Sequence, residues 1–87
     1  MHDGYLREMI KRRARNLMHL STMRTYMKRV RKALADGDLE TAKQTLPRAL
    51  ESIGKASSKG VIHRHAASRY SSRLTLAVNK AEATAAQ

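Results

Sequence analysis

The four histidines are the side chains most suited to metal chemistry, and their spacing argues against a metal site. His63 and His65 are two positions apart, so in a helix their rings would point to different sides. Ligands on successive helical turns are four positions apart. His2 and His19 are distant in sequence, and the chain has no cysteine for a zinc site or a disulfide. We therefore interpret the histidines as surface or binding residues and expect no bound metal.

The acidic and hydroxyl side chains do not form an arrangement typical of catalysis. Asp38 and Glu40 stand where a helix is predicted to begin, and there the helix macrodipole accounts for their charge. No serine lies in the glycine-flanked turn of a nucleophile elbow, and no glycine-rich phosphate loop is present. The sequence thus predicts neither an enzyme nor a site for a cofactor or a small-molecule substrate.

Basic residues are the class abundant enough to indicate a function. Lysine and arginine total 18 against 7 acidic residues, a net charge of +11 over 87 residues. Such a charge repels itself in a compact fold and favours an anionic partner, either nucleic acid or an anionic membrane surface. Binding to polyphosphate would be strong and salt-dependent because counterions are released. With no Phe or Trp, the chain lacks the stacking platforms of single-strand RNA-binding domains.

The composition predicts one small all-α domain. Ala, Leu, Met, Lys and Arg dominate, with four Gly and one Pro, and these residues favour helices. No apolar run approaches the roughly 20 residues of a membrane span, and the N-terminus lacks the features of a secretory signal. Residues 1–34 are arginine-rich and acid-poor, as in mitochondrial presequences, but a basic RNA-binding helix would have the same composition.

Two breaks divide the chain into three predicted helices, at 5–35, 39–56 and 61–82. In the first break, Gly37 suits the left-handed position after a helix and Asp38 suits an N-cap. The second break is Ser-Ser-Lys-Gly at 57–60. Short loops favour antiparallel neighbours and therefore a three-helix bundle. Pro47 removes a backbone donor from the second helix and predicts a kink near residues 43–47.

Apolar residues at helical spacing predict the buried face of each helix. These positions are Met23, Tyr26, Met27, Val30, Ala33 and Leu34; then Leu39, Ala42, Leu46, Ala49, Leu50, Ile53 and Ala56; then Ile62, Ala66, Tyr70, Leu74, Ala77, Val78 and Ala81. Further upstream, a second stripe is rotated by roughly 110° around the first helix. It consists of Leu6, Met9, Ile10, Leu17 and Leu20. One straight helix cannot direct both stripes at one core, so we predict a basic arm at 1–22 and a bundle at 23–82. The last residues, 83–87, are predicted to form a frayed tail.

Positive charge is concentrated towards both ends of the sequence. The net charge is +8 over residues 1–34, −2 over residues 35–54 and +5 over residues 55–87. The middle segment, and with it the second helix, is therefore predicted to face away from phosphate. The cations of the first helix that lie opposite its buried stripe are Arg24, Lys28, Arg31 and Lys32.

Two sequence blocks carry a resemblance to a known family. They are STMRTYMKRVRKALADGD at 21–38 and KGVIHRHAASRYSSRLTLAVNK at 59–80. Over about residues 12–82 the chain closely resembles the bacterial-type small-subunit ribosomal protein number twenty family. The most specific elements are Met-Arg-Thr before an aromatic residue, the Asp-Gly-Asp turn and Lys-Gly-Val-Ile-His. The family fold is a three-helix bundle with a long first helix. Residues 1–10 depart from the Lys/Ser/Ala-rich opening that is usual in the family.

The resemblance implies a structural constituent of the small ribosomal subunit, in the bacterial cytoplasm or in an organelle matrix. It implies early binding to the 5′ domain of small-subunit ribosomal RNA (rRNA), contact with the long decoding-site stem, and a role in assembly. By the same resemblance, the residues expected to contact RNA are Arg24, Thr25, Lys28, Arg29, Lys59, Gly60, His63, Arg64 and Arg69. Asn16 occupies a position where the family usually has Asn. Further RNA-binding residues are predicted because they are basic or carry a hydroxyl group and lie near these positions. They are Lys11, Arg12, Arg13, Arg15, Ser21, Arg31, Lys32 and Arg73.

We expect a non-catalytic protein that neutralises phosphates where several RNA helices meet. The alternative is a basic amphipathic module that binds an anionic membrane or a partner helix, and the interrupted stripe of the first helix counts against the membrane. A helix-turn-helix DNA-binding protein is a third hypothesis, but no recognition helix stands apart from the predicted core. The unusual N-terminus leaves room for a neighbouring ribosomal protein at the arm.

Overall fold

Three α-helices account for nearly all of the chain in the computed structural model, which describes residues 3–86. They are α1 (Asp3–Ala35), α2 (Leu39–Ser58) and α3 (Arg64–Ala85), and the described residues contain no strand. The predicted all-α class and the three-helix bundle with a long first helix are confirmed. The third helix begins three residues later than predicted and also continues three residues further. Met1, His2 and Gln87 lie outside the described residues.

Helix lengths explain the elongated outline, 66 Å by 22 Å by 14 Å. α1 has 33 residues and is about 50 Å long, whereas the 20 residues of α2 span about 30 Å at the usual rise. α2 packs against both α1 and α3, while α1 and α3 share the smallest interface. The N-terminal part of α1 therefore extends beyond the bundle. The division between arm and bundle after residue 22 stays a prediction, and the first α1 side chain packed against the core is Leu20.

The core mostly follows the predicted apolar stripes, although Leu50, Ala66 and Ala81 are only half-buried and lie outside it. Its buried residues are Met23, Met27, Val30, Ala33, Ala42, Ala49, Ile53, Ala56, Leu74 and Val78. Ala77 was predicted to be buried but is exposed, because α3 contacts its neighbours along a narrower strip than its apolar pattern suggests. Leu20 was assigned to the second, upstream stripe of the first helix but packs against the core, because it lies one turn before Met23. α2 is continuous through Pro47, and the kink there stays a prediction.

The turn between α1 and α2 has the geometry that its residues predict. Gly37 adopts a left-handed φ of 74°. Its N–H donates to the carbonyl of Leu34, and the N–H of Asp38 donates to the carbonyl of Ala33 at 2.8 Å, which is the hydrogen-bond pattern of a Schellman motif. Asp38 is the N-cap of α2, since its carboxylate accepts from the backbone N–H of Thr41 at 3.2 Å and from the Thr41 hydroxyl at 2.6 Å.

These hydrogen bonds make the cap dependent on pH. The hydroxyl of Thr41, followed by its backbone N–H, holds the pKa of Asp38 below its ordinary value. A group whose pKa is lower in the folded state adds stability above its unfolded-state pKa. That contribution is lost as the pH falls through the lowered, folded-state pKa. The start of α2 is therefore fully capped near neutral pH.

A second Schellman motif connects α2 to α3. Gly60 has a left-handed φ of 73°, its N–H donates to the carbonyl of Ser57, and the N–H of Val61 donates to the carbonyl of Ala56 at 2.8 Å. Val61 and Ile62 then pack against the core. This turn fixes where the basic residues on either side of it can lie. Gly60, a predicted RNA-binding residue, thus also has a structural role.

We predict that Gly60→Ala destabilises the bundle by about 1–2 kcal/mol, because an L-residue is strained in the left-handed region. A Cβ at this position would meet no atom within 4 Å, so the conformation alone accounts for the effect. Gly54→Ala is the matched control, since Gly54 is exposed within α2 and a Cβ there also meets nothing. In urea unfolding followed by circular dichroism, the control should be neutral or stabilising. Equal stability of the two variants would contradict the prediction.

Candidate RNA interface

The predicted RNA-binding residues are available to a partner. Of these 18 residues, 17 are exposed and Asn16 is half-buried. None contributes to the core, so their charge is not explained by internal packing. On α3, Arg69 and Arg73 lie on the exposed side of the helix, away from the buried Leu74 and Val78.

The outer face of α1 is the most coherent cationic surface on the bundle. It comprises Arg24, Lys28, Arg31 and Lys32, which lie opposite the buried residues of the same helix. Lys32 approaches Asp36 at 3.8 Å, and within residues 3–86 the other three make no ion pair. Their guanidinium and ammonium groups are therefore free to bind phosphate. Arg29 lies apart from this face, since its guanidinium is 5.2 Å from the ring centroid of Tyr26.

The arm face is a second cationic surface, on a different side of the same helix. It comprises Arg7, Lys11, Arg12 and Arg15, all exposed. Arg15 makes a loose ion pair with Glu8, at 3.7 Å between exposed groups, and such pairs contribute little. At 100° per residue the centre of the arm face is rotated by roughly 135° from that of the outer face. α1 therefore presents cations to two sides at two positions along its length.

The connection between α2 and α3 positions a third cationic group, formed by Lys59 and Arg64 on either side of His63 in the sequence. His63 is the N-cap of α3, and its Nδ1 accepts the backbone N–H of His65 at 3.1 Å. The two imidazole rings stack, with centroids 4.7 Å apart and planes 7° from parallel. The predicted divergence of these rings is thus wrong. The reason is that His63 lies before the helix in extended conformation, so the helical rotation does not separate it from His65.

The tautomer of His63 follows from its capping bond. Because Nδ1 accepts a hydrogen bond, the ring proton must lie on Nε2. The exposed ring thus presents a hydrogen-bond donor to any partner at this turn. Near the end of α2, Lys55 lines a cleft together with Met18 and His19 of α1, so the connection that follows α2 lies near the root of the arm.

A cleft between α1 and α2 contains two cations that the sequence patterns did not single out. Its walls are Met18, His19, Thr22 and Tyr26 from α1 and Arg48, Glu51, Ser52 and Lys55 from α2. Ser52 is buried and its hydroxyl donates to the carbonyl of Arg48 at 2.9 Å. Lys55 pairs with Glu51 at 3.3 Å. Arg48 and Lys55 are two helical turns apart on the flank of α2 beside its buried stripe. This position on the flank was the only sequence signal for them.

Four of the seven acidic residues lie at one end of the bundle. α2 itself contains three cations and two acids, so the second helix is not acidic, whereas its predicted orientation away from phosphate stays a prediction. Lys43 Nζ lies 2.9 Å from Glu82 Oε1, which brings the C-terminal part of α3 beside the N-terminal part of α2. The acids at this end are Asp36, Asp38, Glu40 and Glu82. The arm lies at the opposite end, so the molecule has strong charge asymmetry along its length.

Within residues 3–86, no three potential ligands lie close enough together to hold a metal ion. The same part of the chain contains no helix that is both long and apolar enough to cross a bilayer. The candidate functional site of those described residues is therefore described by its cationic surfaces.

Comparison with known proteins identifies the family of the chain. The Ribosomal protein S20 family matches residues 5–79. The small ribosomal subunit protein bS20 of Anaeromyxobacter dehalogenans (strain 2CP-C) is 47% identical over 81 residues, which cover 93% of this chain and 88% of the relative. The protein of the same name from Persephonella marina is 42% identical, covering 94% and 89%, and that from Syntrophotalea carbinolica is 53% identical, covering 78% of each. The chain therefore belongs to the ribosomal protein S20 family and has the structural, non-enzymatic role in the ribosome that defines this family.

Proposed function

We propose that this protein binds small-subunit rRNA directly and holds several RNA segments together during assembly of the small ribosomal subunit. The observation that carries the proposal is the rotation between the two cationic faces of α1. A single RNA helix can approach only one side of an α-helix, so two opposed faces suit two separate RNA segments. The relatives named above are small-subunit proteins, which supports rRNA as the partner.

Binding would be dominated by phosphate neutralisation. Each Lys or Arg that meets a phosphate releases condensed counterions, and this release supplies most of the sequence-independent affinity. Arginine can bind phosphate oxygens with two parallel hydrogen bonds, which adds geometric selectivity. Ser21, Thr25 and the Nε2–H of His63 are exposed donors suited to phosphate or ribose oxygens. These contacts recognise RNA shape and do not read base sequence.

The acidic end suggests the orientation of the bound protein. Asp36, Asp38 and Glu40 cluster at the turn between α1 and α2, and like charges would repel phosphate there. We propose that this end faces outward and that the arm points into the RNA. By resemblance, the RNA segments are the 5′ domain and the long decoding-site stem, and the location is the small subunit in a bacterial cytoplasm or an organelle matrix.

Filter binding to RNA transcripts tests the proposal. The full chain should bind a transcript of the 5′ domain about tenfold or more tightly than an equally long transcript of the 3′ domain, since specific sites exceed the uniform electrostatic background. Sedimentation with vesicles containing anionic lipid serves as the comparison for the membrane alternative. Equal affinity for both transcripts, or stronger binding to the vesicles than to RNA, would contradict the proposal.

We predict that His63→Asn leaves the free energy of unfolding almost unchanged but weakens RNA binding severalfold. Asparagine is a good N-cap residue, so it can replace Nδ1 as the acceptor for the N–H of His65, whereas it lacks the stacked ring. His63→Ala removes both functions and should lower stability and affinity together. Thermal unfolding and filter binding on the same samples separate the two effects. Full RNA affinity in the Asn variant would show that the ring serves only as a cap.

A further inference from the structure

The arm exposes an unusual amount of apolar surface. Six of the seven large exposed apolar side chains in the described residues lie between Tyr5 and Met18, each 50–68% exposed. RNA presents mainly phosphate and ribose oxygens, which can satisfy the cations of the arm face but not these side chains. Contiguous exposed apolar surface usually marks an interaction site. Something other than the bundle or phosphate should therefore cover it.

The apolar residues form one stripe with the spacing of a helix that docks into a groove. Leu6, Met9, Ile10 and Leu17 occupy positions i, i+3, i+4 and i+11, and Arg13 fills position i+7. This is the anchor pattern of amphipathic helices bound in apolar grooves. We refer to these five residues as the arm stripe. At 100° per residue, Arg13 lies near the centre of the stripe and not at its edge.

From this pattern we propose that the arm stripe docks into an apolar groove on a protein of the small subunit, with a carboxylate of that protein facing Arg13. The proposal rests on the proposed function, because the partner is a component of the same assembled particle. Leu6, Ile10 and Leu17 supply the apolar anchors. Arg13 was predicted from its charge to bind RNA, but here its guanidinium supplies the specificity for the protein, because only an acidic partner can pair with it inside a groove that excludes water.

Charge excludes two other occupants. A second copy of the chain would bring two arms together, and residues 4–18 carry five cations against one acid, so like charges would repel. An anionic membrane would accommodate cations at the margins of the apolar face, but Arg13 at its centre would be forced towards the acyl chains, which is costly. A protein groove with one carboxylate satisfies both the apolar side chains and Arg13.

Site-specific photo-crosslinking in small subunits reconstituted from purified rRNA and proteins tests this inference. A diazirine-bearing amino acid at position 10 should form a crosslink to one small-subunit protein, at a peptide that contains an Asp or Glu. The same probe at Met18 is the control, because Met18 is equally exposed but lies roughly 120° from the centre of the stripe. The Met18 probe should not reach that peptide. Crosslinks from position 10 only to rRNA, only to a second copy, or to nothing would overturn the inference.

Charge reversal makes the test specific. Arg13→Glu should reduce the yield of the position-10 crosslink about tenfold or more, since like charges would then face each other in the groove. Replacing the identified partner carboxylate by lysine should restore the crosslink. An unchanged yield with Arg13→Glu would refute the role of the carboxylate. A parallel probe at position 28 monitors the proposed function independently, because its crosslink to rRNA should persist even if the arm inference fails.

Discussion

Replacing Lys28 and Arg31 together by alanine is expected to weaken binding to small-subunit rRNA by about tenfold or more and to flatten its salt dependence. Each lost phosphate contact lowers the slope of log affinity against log salt by about 0.9, so the double variant should lose nearly two units. Both side chains are exposed on the outer face of α1 and make no ion pair among residues 3–86. Their removal should therefore leave the fold intact while removing two phosphate contacts. Salt-titrated filter binding measures both quantities.

Two single variants provide the controls for this measurement. Lys43 is already neutralised by Glu82 at 2.9 Å and lies towards the acidic end of the bundle, so Lys43→Ala should leave affinity within experimental scatter. Glu51 is exposed and pairs with Lys55, and Glu51→Ala should likewise cause no loss. An unchanged slope in the double variant, or a tenfold loss in Lys43→Ala, would contradict the proposed orientation of the bundle on RNA.

The arm is expected to be largely disordered in the free protein and to become helical on RNA. α1 begins at Asp3, but within residues 4–19 no apolar side chain belongs to the core or packs against it. Like charges at neighbouring helical positions destabilise an isolated helix, and helices without tertiary contacts are marginal in water. The arm face and Arg13 place five cations within nine residues, so intrinsic helicity should be low without a partner.

Hydrogen exchange on the free chain and on its RNA complex measures this difference. In the free chain, amides of residues 5–20 should exchange orders of magnitude faster than those at Val30 and Leu34, which lie in the packed part of α1. In the complex the two segments should be protected to similar degrees. The amides around Ile53 provide the internal reference for global stability, because Ile53 is fully buried. Comparable protection of both segments in the free chain would show that the arm is preformed.

The helical period explains why most of the core could be predicted from the sequence. Val30 in α1, Ile53 in α2 and Leu74 in α3 each belong to a series of apolar residues spaced three or four positions apart. All three are buried. The first turn was predictable because Gly37 adopts a left-handed φ at low cost, and it does so. The second break was placed correctly, but the left-handed φ of Gly60 and the later start of α3 were not predicted. The cationic outer face of α1 then follows by exclusion, since its residues lie opposite the buried stripe.

Features that depend on how helices meet could not be predicted from one sequence. The period of α2 identified its buried face, but it did not place Arg48 and Lys55 beside His19 across the cleft. The capping role of His63 could not be predicted without knowing that α3 begins at Arg64. Because His63 lies before the helix, its ring is not turned away from that of His65. The contact between Lys43 and Glu82 joins residues 39 positions apart, and it shows that Glu82 lies at the same end of the bundle as the acidic turn.

Photo-crosslinking from two positions in assembled small subunits tests the central claim most directly. A probe at position 28 lies on the outer face of α1, and a probe at position 40 lies at the acidic end of the bundle. Sequencing of the attached RNA should show small-subunit rRNA crosslinked to the first probe and little or none crosslinked to the second. If the probe at position 40 captures rRNA efficiently while the probe at position 28 does not, the cationic faces of α1 are not the RNA-binding surface.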